Sequence, residues 1–347
     1  MHKSKIYFNS HKNNNSQTKV IRFFRYNQFA AVVAIVLLIA AIWVFGFLRP
    51  VAANIKNTMP LYEICCSWLG TNLLVQYIVA ILLVLIQAFY FNYIVNKHEL
   101  LGKVSYVPAL VYALFMSVCK AYLMLHPLLF CNFFILIAVH KMLGTYRKDE
   151  AFGNIFDAGL YISIASLFYF PAIVLFPLVW VCLLVIRPFV WREWIISFLG
   201  LTVPYLFAFT YYFWLDKVDY FLFDKIFFPV SDSKFSIASE PTSFIVLVTT
   251  ILFVIAVSFI KLLNGLPVNT SFSGNVFLFF LWMIGLSFIS FFIAPVLKFN
   301  YLAIAAMPIA LYVANYFLNT QRLRLAEILF WIFLMNSRNW KMRYMSC

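Results

Sequence analysis

Long uninterrupted apolar runs, separated by short polar stretches, set the pattern of this chain. They occupy 29–48, about 71–91, 106–125, 127–140, 158–186, 195–214, 243–260, 276–296 and 301–318, with a weaker run at 325–335. A helix crossing a hydrocarbon layer roughly 30 Å thick needs about 20 such residues. The pattern therefore predicts an all-α chain, a polytopic transmembrane helical bundle of about ten or eleven spans, some of them short or broken.

Two stretches need dividing. The apolar sequence 106–140 is too long for one crossing and contains His126-Pro127. Proline has no backbone donor and clashes with the preceding turn, so two helices with almost no loop are expected there. The run 158–186 would measure about 43 Å as one helix. It contains Pro171 and Pro177, and reads either as one tilted, kinked helix or as two short helices meeting near Phe170-Pro171. The choice inverts everything downstream. Basic residues place the N-terminus on the cytoplasmic side under both readings, and their distribution does not decide between them. The longest loop, 215–242, carries Asp216, Asp219, Asp224, Asp232 and Glu240 against Lys217, Lys225 and Lys234. A long acidic and aromatic loop reads more naturally as an extracytoplasmic working surface, which favours two short helices.

Composition sharpens the class. Apolar residues make up 65% of the 347 positions and charged residues 11%, against soluble norms of about 45–50% and about 25%. That excludes a soluble enzyme, a disordered chain and a secreted disulfide scaffold. The net charge of +14 comes from 26 Lys+Arg against 12 Asp+Glu. Basic loops holding spans on the cytoplasmic side explain the excess more simply than nucleic-acid binding, which is not expected. Residues 1–28 form a basic tail expected to be disordered and cytoplasmic, 29–336 a single transmembrane domain, and 337–347 a short basic C-terminal tail. The run 29–48 competes with a signal peptide ending near Val51-Ala52-Ala53, but a core of this length exceeds the usual h-region of 7–15 residues. An uncleaved anchor is expected.

Candidate chemistry is sparse. The cysteines Cys65, Cys66, Cys119, Cys131, Cys182 and Cys347 form no CxxC pair, and the histidines lack metal-ligand spacing, so neither a metal site nor a cofactor is expected. No acid lies in the middle of a span, which argues against a proton-coupled pump. Glu63 is the one acid of the first outer loop. It reads either as a general base for an incoming hydroxyl or as a solvated loop residue beside an interfacial Tyr/Trp anchor. Lys120 lies near the outer end of its span, with His126 on the same rim; the lysine either snorkels or pairs with a lipid phosphate. Arg187-Pro188-Phe189-Val190-Trp191-Arg192-Glu193-Trp194 reads as a cytoplasmic turn anchored by its aromatic and basic residues. Asp157 is expected to cap the helix starting near Asn154.

The stretch Phe156-Asp157-Ala158-Gly159-Leu160-Tyr161-Ile162-Ser163-Ile164-Ala165-Ser166-Leu167-Phe168-Tyr169-Phe170-Pro171 resembles the broken short-helix pair of polytopic C-type glycosyltransferases and O-antigen-polymerase-like proteins. The following span ending Tyr211-Tyr212-Phe213-Trp214, the aromatic loop after it and an acid in the first outer loop fit the same plan. The resemblance covers the chain in layout, to a bacterial inner-membrane family, and includes no diagnostic motif. It implies a polyprenyl-phosphate-linked sugar handled at the outer face of the bacterial inner membrane. Glu63 would be the catalytic acid/base residue, unpaired where the family often carries two acids. Lys120 with Arg49 or His126 would hold the lipid phosphate, and the loop bearing Asp216, Asp219 and Asp224 would close over the acceptor. A non-catalytic subunit of an envelope machine and a lipid or solute transporter are the alternative readings.

Overall fold

The structure, a computed structural model, describes residues 28–48, 58–70, 72–102, 104–118, 125–227, 271–293 and 303–319. Among the described residues every regular element is helical. They are α1 (Gln28–Leu48), α2 (Pro60–Leu69), α3 (Leu73–Lys97), α4 (Val107–Val118), α5 (Pro127–Leu143), α6 (Phe152–Phe168), a 3-10 turn (Phe170–Leu175), α7 (Pro177–Val185), α8 (Trp191–Trp214), a π-helical segment (Tyr220–Phe227), α9 (Ser271–Ile293) and α10 (Ala306–Asn319). Three helices, α3, α8 and α9, are long and apolar enough to cross a membrane. The others are apolar and shorter, apart from α2 and the π-helical segment. The expected runs at 243–260 and 325–335, and both tails save Gln28, lie outside the described residues.

Side-chain contacts fix the direction of each helix. The Trp43 indole, late in α1, donates to Ser117 Oγ near the end of α4 at 3.0 Å. The Tyr77 hydroxyl at the start of α3 bonds the Trp43 carbonyl. The end of α3 meets the end of α5 instead, through Lys97 Nζ and His140 Nε2 at 3.1 Å. In turn Lys141, in the last turn of α5, pairs with Asp157 near the start of α6 at 2.7 Å, while Phe130 near the start of α5 stacks on Phe168 at the end of α6. With the end carrying Phe130 and Phe168 taken as the upper one, α1, α4 and α6 rise and α3 and α5 descend.

The stretch 158–186 folds back on itself. Helix α6 rises through 17 residues, about 25 Å. The 3-10 turn and α7 then return by 6 and 9 residues, about 25 Å in all. The return is shown by its lower end. Cys182 Sγ contacts the Met142 carbonyl at 3.5 Å, and Arg187 donates to the carbonyls of Thr145 and Asp149, both at 3.2 Å. These partners lie immediately before α6 begins. Of the two sequence readings, the two-helix one is therefore the one observed, with the break at Tyr169–Phe176 where Pro171 and Pro177 cannot continue a helix. Helix α8 then rises alongside α6, and α9 also rises, from Asn275 against the Val185 carbonyl (2.8 Å) to Ser290 against the Pro171 carbonyl (2.8 Å). Phe227 and Ser271 accordingly stand at opposite ends of the bundle.

Helices α4 and α10 form its centre, buried on every described face. Polar groups there are satisfied internally, as a dry interior demands. Gln87 donates to the Leu129 carbonyl (2.7 Å) and accepts from the Tyr112 hydroxyl (2.8 Å), and Asn132 donates to the Ala303 carbonyl (3.0 Å). The outer faces are the reverse. Ile78, Leu82 and Ile86 on α3, and Phe198, Phe207 and Phe213 on α8, are exposed. Apolar surface of this extent belongs against hydrocarbon or a partner rather than water.

Helices α6 and α8 cross with their backbones in contact. A Cβ on Gly159 would collide with the Ser197 carbonyl, and one on Gly200 with the Phe156 carbonyl. The pair of glycines lets two backbones touch, as small residues do where hydrophobic burial does not drive helices together.

Two local expectations are corrected. Asp157 is not the cap of α6, which starts at Phe152 after Ala151; it sits one turn inside, where the ammonium of Lys141 outweighs a local cap as its partner. The first outer loop is not simply a loop, since residues 60–69 form α2.

Candidate functional site

Helix α2 is built by its own sequence. Pro60 at its first position loses no needed donor, and Glu63 in the first turn faces the positive end of the helix dipole. Gly70, at φ +70°, ends it in a conformation that suits glycine. The helix lies at the upper end of the bundle. The Tyr62 hydroxyl donates to the Leu125 carbonyl at 2.8 Å, and its ring meets Phe130 edge-on.

The chain returns to this rim after α8. Asp216 adopts φ +51°, a left-handed conformation that aspartate tolerates, and turns the chain at the helix end. The π-helical segment then lays Phe221 flat on Tyr212, with ring centroids 4.9 Å apart. Met59, Leu167, Tyr212 and Phe221 form a small buried cluster of their own. This cluster delivers Lys225 to Glu63. The ammonium contacts Glu63 Oε1 and donates to the Thr58 carbonyl at 2.7 Å, while the Thr58 hydroxyl donates to Glu63 Oε1 at 3.0 Å. The Lys225 side chain is only 4% exposed and that of Glu63 43%. Burial works against the lysine's charge, but its hydrogen bonds to Glu63 and Tyr220 outweigh that effect and raise its pKa above the ordinary 10.5. It remains an ammonium at any physiological pH.

Glu63, Asp216 and Asp219 thus share one end of the bundle with His126. Asp216 and Asp219 are exposed. His126 caps α5, accepting from the Leu128 amide through Nδ1 at 3.2 Å. The side chain of Asp224, together with Lys120 and Arg49, lies outside the described residues. Cys65 and Cys66 on α2 are free thiols whose pKa values are raised, chiefly by burial, so neither is an activated nucleophile.

Beneath the rim lies a groove of about 600 Å³ between α6 and α8. The glycine crossing closes its floor. Above that crossing Pro204 interrupts the α8 hydrogen-bond ladder and lines the groove. Ile164, Leu167, Val203, Phe207 and Ala208 form its walls, and Pro60, Leu61 and Ile64 of α2 its roof. Among the described residues that line it, only Tyr211 and Tyr212 carry a polar side-chain atom.

The lower end is organised differently. Arg187 and Glu193 form an ion pair at 2.9 Å with side chains 4% and 1% exposed. Trp194 stacks on Trp180. Arg187, Glu193 and Trp194 of this turn are thus clamped into the bundle, while Phe189, Trp191 and Arg192 stay exposed. Among the described residues no three metal-ligating side chains converge.

Sequence reasoning missed Lys225 and Thr58. Lys225 stands in a loop whose acids outnumber its lysines, and only the alternation of apolar positions with Lys225 after Phe221 and Phe223 hinted that the segment packs. No protein-family model, no curated protein and no solved structure matches this chain.

Proposed function

We propose that the chain is a multi-pass helical membrane protein of about ten or eleven spans, lying in a bacterial inner membrane with its N-terminus in the cytoplasm, and that it transfers or polymerises polyprenyl-phosphate-linked sugars at the outer face. The observation that carries this reading is the convergence of Glu63 with the start of the aromatic, acidic loop, on one rim, directly above an apolar groove. In the reaction an acceptor hydroxyl oxygen bonds to the anomeric carbon, the bond from that carbon to the carrier phosphate oxygen breaks, and the carrier leaves with its phosphate. Glu63 takes the hydroxyl proton, through the carboxylate oxygen that Lys225 and Thr58 do not occupy. Lys120 with Arg49 or His126 holds the phosphate with charge-assisted contacts worth about 1.5–3 kcal/mol each. Asp216, Asp219 and Asp224 meet the acceptor.

The test is Glu63→Gln in a strain lacking the native copy, with surface glycan and membrane levels of the protein read together. Loss of glycan at normal protein level is expected. Unchanged glycan removes the enzymatic claim.

One observation favours a second reading. Glu63 is already charge-balanced by a buried lysine, which suits a structural latch in a non-catalytic subunit of an envelope machine. Purification in mild detergent with stoichiometric protein partners and no bound lipid-linked sugar would support that subunit over the enzyme.

A further inference from the structure

We infer that the groove between α6 and α8 is a binding site for one hydrocarbon tail of an amphiphile whose head stays at the Glu63–Lys225 rim. The inference rests on the membrane reading above but not on Glu63 acting as a base. Three features point to this occupant. The walls are aliphatic and aromatic over their whole depth, so a sugar, a peptide backbone or an ion would lose its hydrogen bonds on entry. The volume of about 600 Å³ falls within the range of small-ligand sites. The groove is also continuous with the outer apolar face of α8. Phe207 and Tyr211 line it while remaining 74% and 56% exposed, so a tail can enter sideways from the surrounding hydrocarbon.

The polarity gradient sets the orientation. Charge begins only above the roof, where Glu63, Lys225 and Lys217 lie on or beside α2 and the end of α8. A molecule lying here is greasy below Ile64 and polar above it. The glycine crossing closes the floor, so the tail enters with its terminus downward. The occupant is a hydrocarbon tail rather than a second copy of this chain, because the apolar lining runs up into a charged rim as an amphiphile's own polarity does.

The probe is a phosphatidylcholine with a photoactivatable diazirine in its acyl chain, mixed into vesicles holding the full-length protein. Cross-linked residues are then mapped by mass spectrometry. Labelling of Ile164, Val203, Phe207 and Ala208 is expected to exceed that of Ile78 and Leu82, which face outward from α3 without a groove. Ala208→Trp fills the slot, and its labelling of the remaining groove residues should fall to the α3 level while α3 labelling stays unchanged. Val203→Phe serves as the second variant should the first fail to reach the membrane. Groove labelling no greater than that of α3, or insensitive to both fillings, overturns the inference, as does a cross-link between copies in place of the lipid. Surface glycan is not read in this assay, so a failed tail site and a failed catalytic role for Glu63 are separate results.

Discussion

The two ends of this bundle each carry an ion pair, and the pairs are built for opposite purposes. At the lower end Arg187 and Glu193 are both sealed, and the guanidinium also serves the carbonyls of Thr145 and Asp149. The pair ties the exit of α7 and the start of α8 to the turn that precedes α6, fixing three helices at one point. At the upper end Lys225 is sealed but Glu63 is not. Both contacts to Glu63 fall on Oε1, and among the described residues no partner reaches Oε2. A closed pair holds structure. A half-open pair holds structure with one partner and offers the other to the solvent side.

Breaking the closed pair should have the largest effect. Glu193→Ala leaves the Arg187 charge buried without its partner, and removing one member of a buried pair costs about 3–5 kcal/mol. The variant is expected to lose its cooperative thermal transition in detergent or to unfold at much lower temperature. A variant as stable as the parent would mean that the lower end is not clamped. Replacing both members by apolar residues, Arg187→Met with Glu193→Leu, should recover part of the loss, because no charge then remains stranded.

The region between the ends is next. Gly159→Ala and Gly200→Ala each place a methyl against backbone that cannot step aside. Overpacking of this kind costs about 1–3 kcal/mol. The two changes push apart the same pair of helices, so the double variant should cost less than their sum. Full additivity in thermal unfolding would show that the glycines do not share one contact.

How far the chain announced this arrangement differs from place to place. The break at His126-Pro127 was legible because proline acts through its own backbone, a local effect that sequence carries directly, while Pro171 and Pro177 allowed either a kink or a break near Phe170. Run length alone marks α3, α8 and α9, whereas dividing α4 from α5 also needed the proline at 127 and dividing α6 from α7 needed the character of the loop at 215–242. The lower clamp was not legible, since Arg187 and Glu193 look like any basic-aromatic turn until folding buries both. Asp157 was misread for a related reason: a capping signal is local, whereas Lys141 is brought to it only by the packing of α5 on α6. Glu63 stood out as the only acid of its loop, but its partner Lys225 is 162 residues away and could not be paired without the fold.

At the upper end the smaller effect is an asymmetry. Glu63→Gln leaves the buried Lys225 ammonium without its counter-charge and should cost about 1–3 kcal/mol. Lys225→Met leaves only a carboxylate that water already reaches, and should cost under about 1 kcal/mol. Thermal unfolding of the two variants side by side checks the order, and a reversed order would mean that Glu63, not Lys225, is the sealed member. The pH dependence has a definite sign. Because the folded pKa of Lys225 is raised, the latch contributes fully below the ordinary lysine value of 10.5 and is lost as pH rises through the folded value.

The faintest effect sharpens the comparison from the lower side. His98 follows the last turn of α3, and its pKa is lowered to about 4, first by burial and then by the nearby His140 and Lys97. It is therefore neutral in the folded protein at pH values where the unfolded chain already binds a proton. The sign is opposite to that of the upper latch. Stability is undiminished above the ordinary histidine value of 6.5 and declines as pH falls from there toward 4. Solvent reaches part of the ring, so the decline is modest, but it belongs to one end alone. His98→Gln should flatten the acid limb of a thermal-unfolding profile while leaving the alkaline limb, set by Lys225, where it was. An acid limb that survives the substitution would assign the sensitivity to other groups, and an alkaline limb that moves with it would mean that the two ends are energetically coupled rather than separately built.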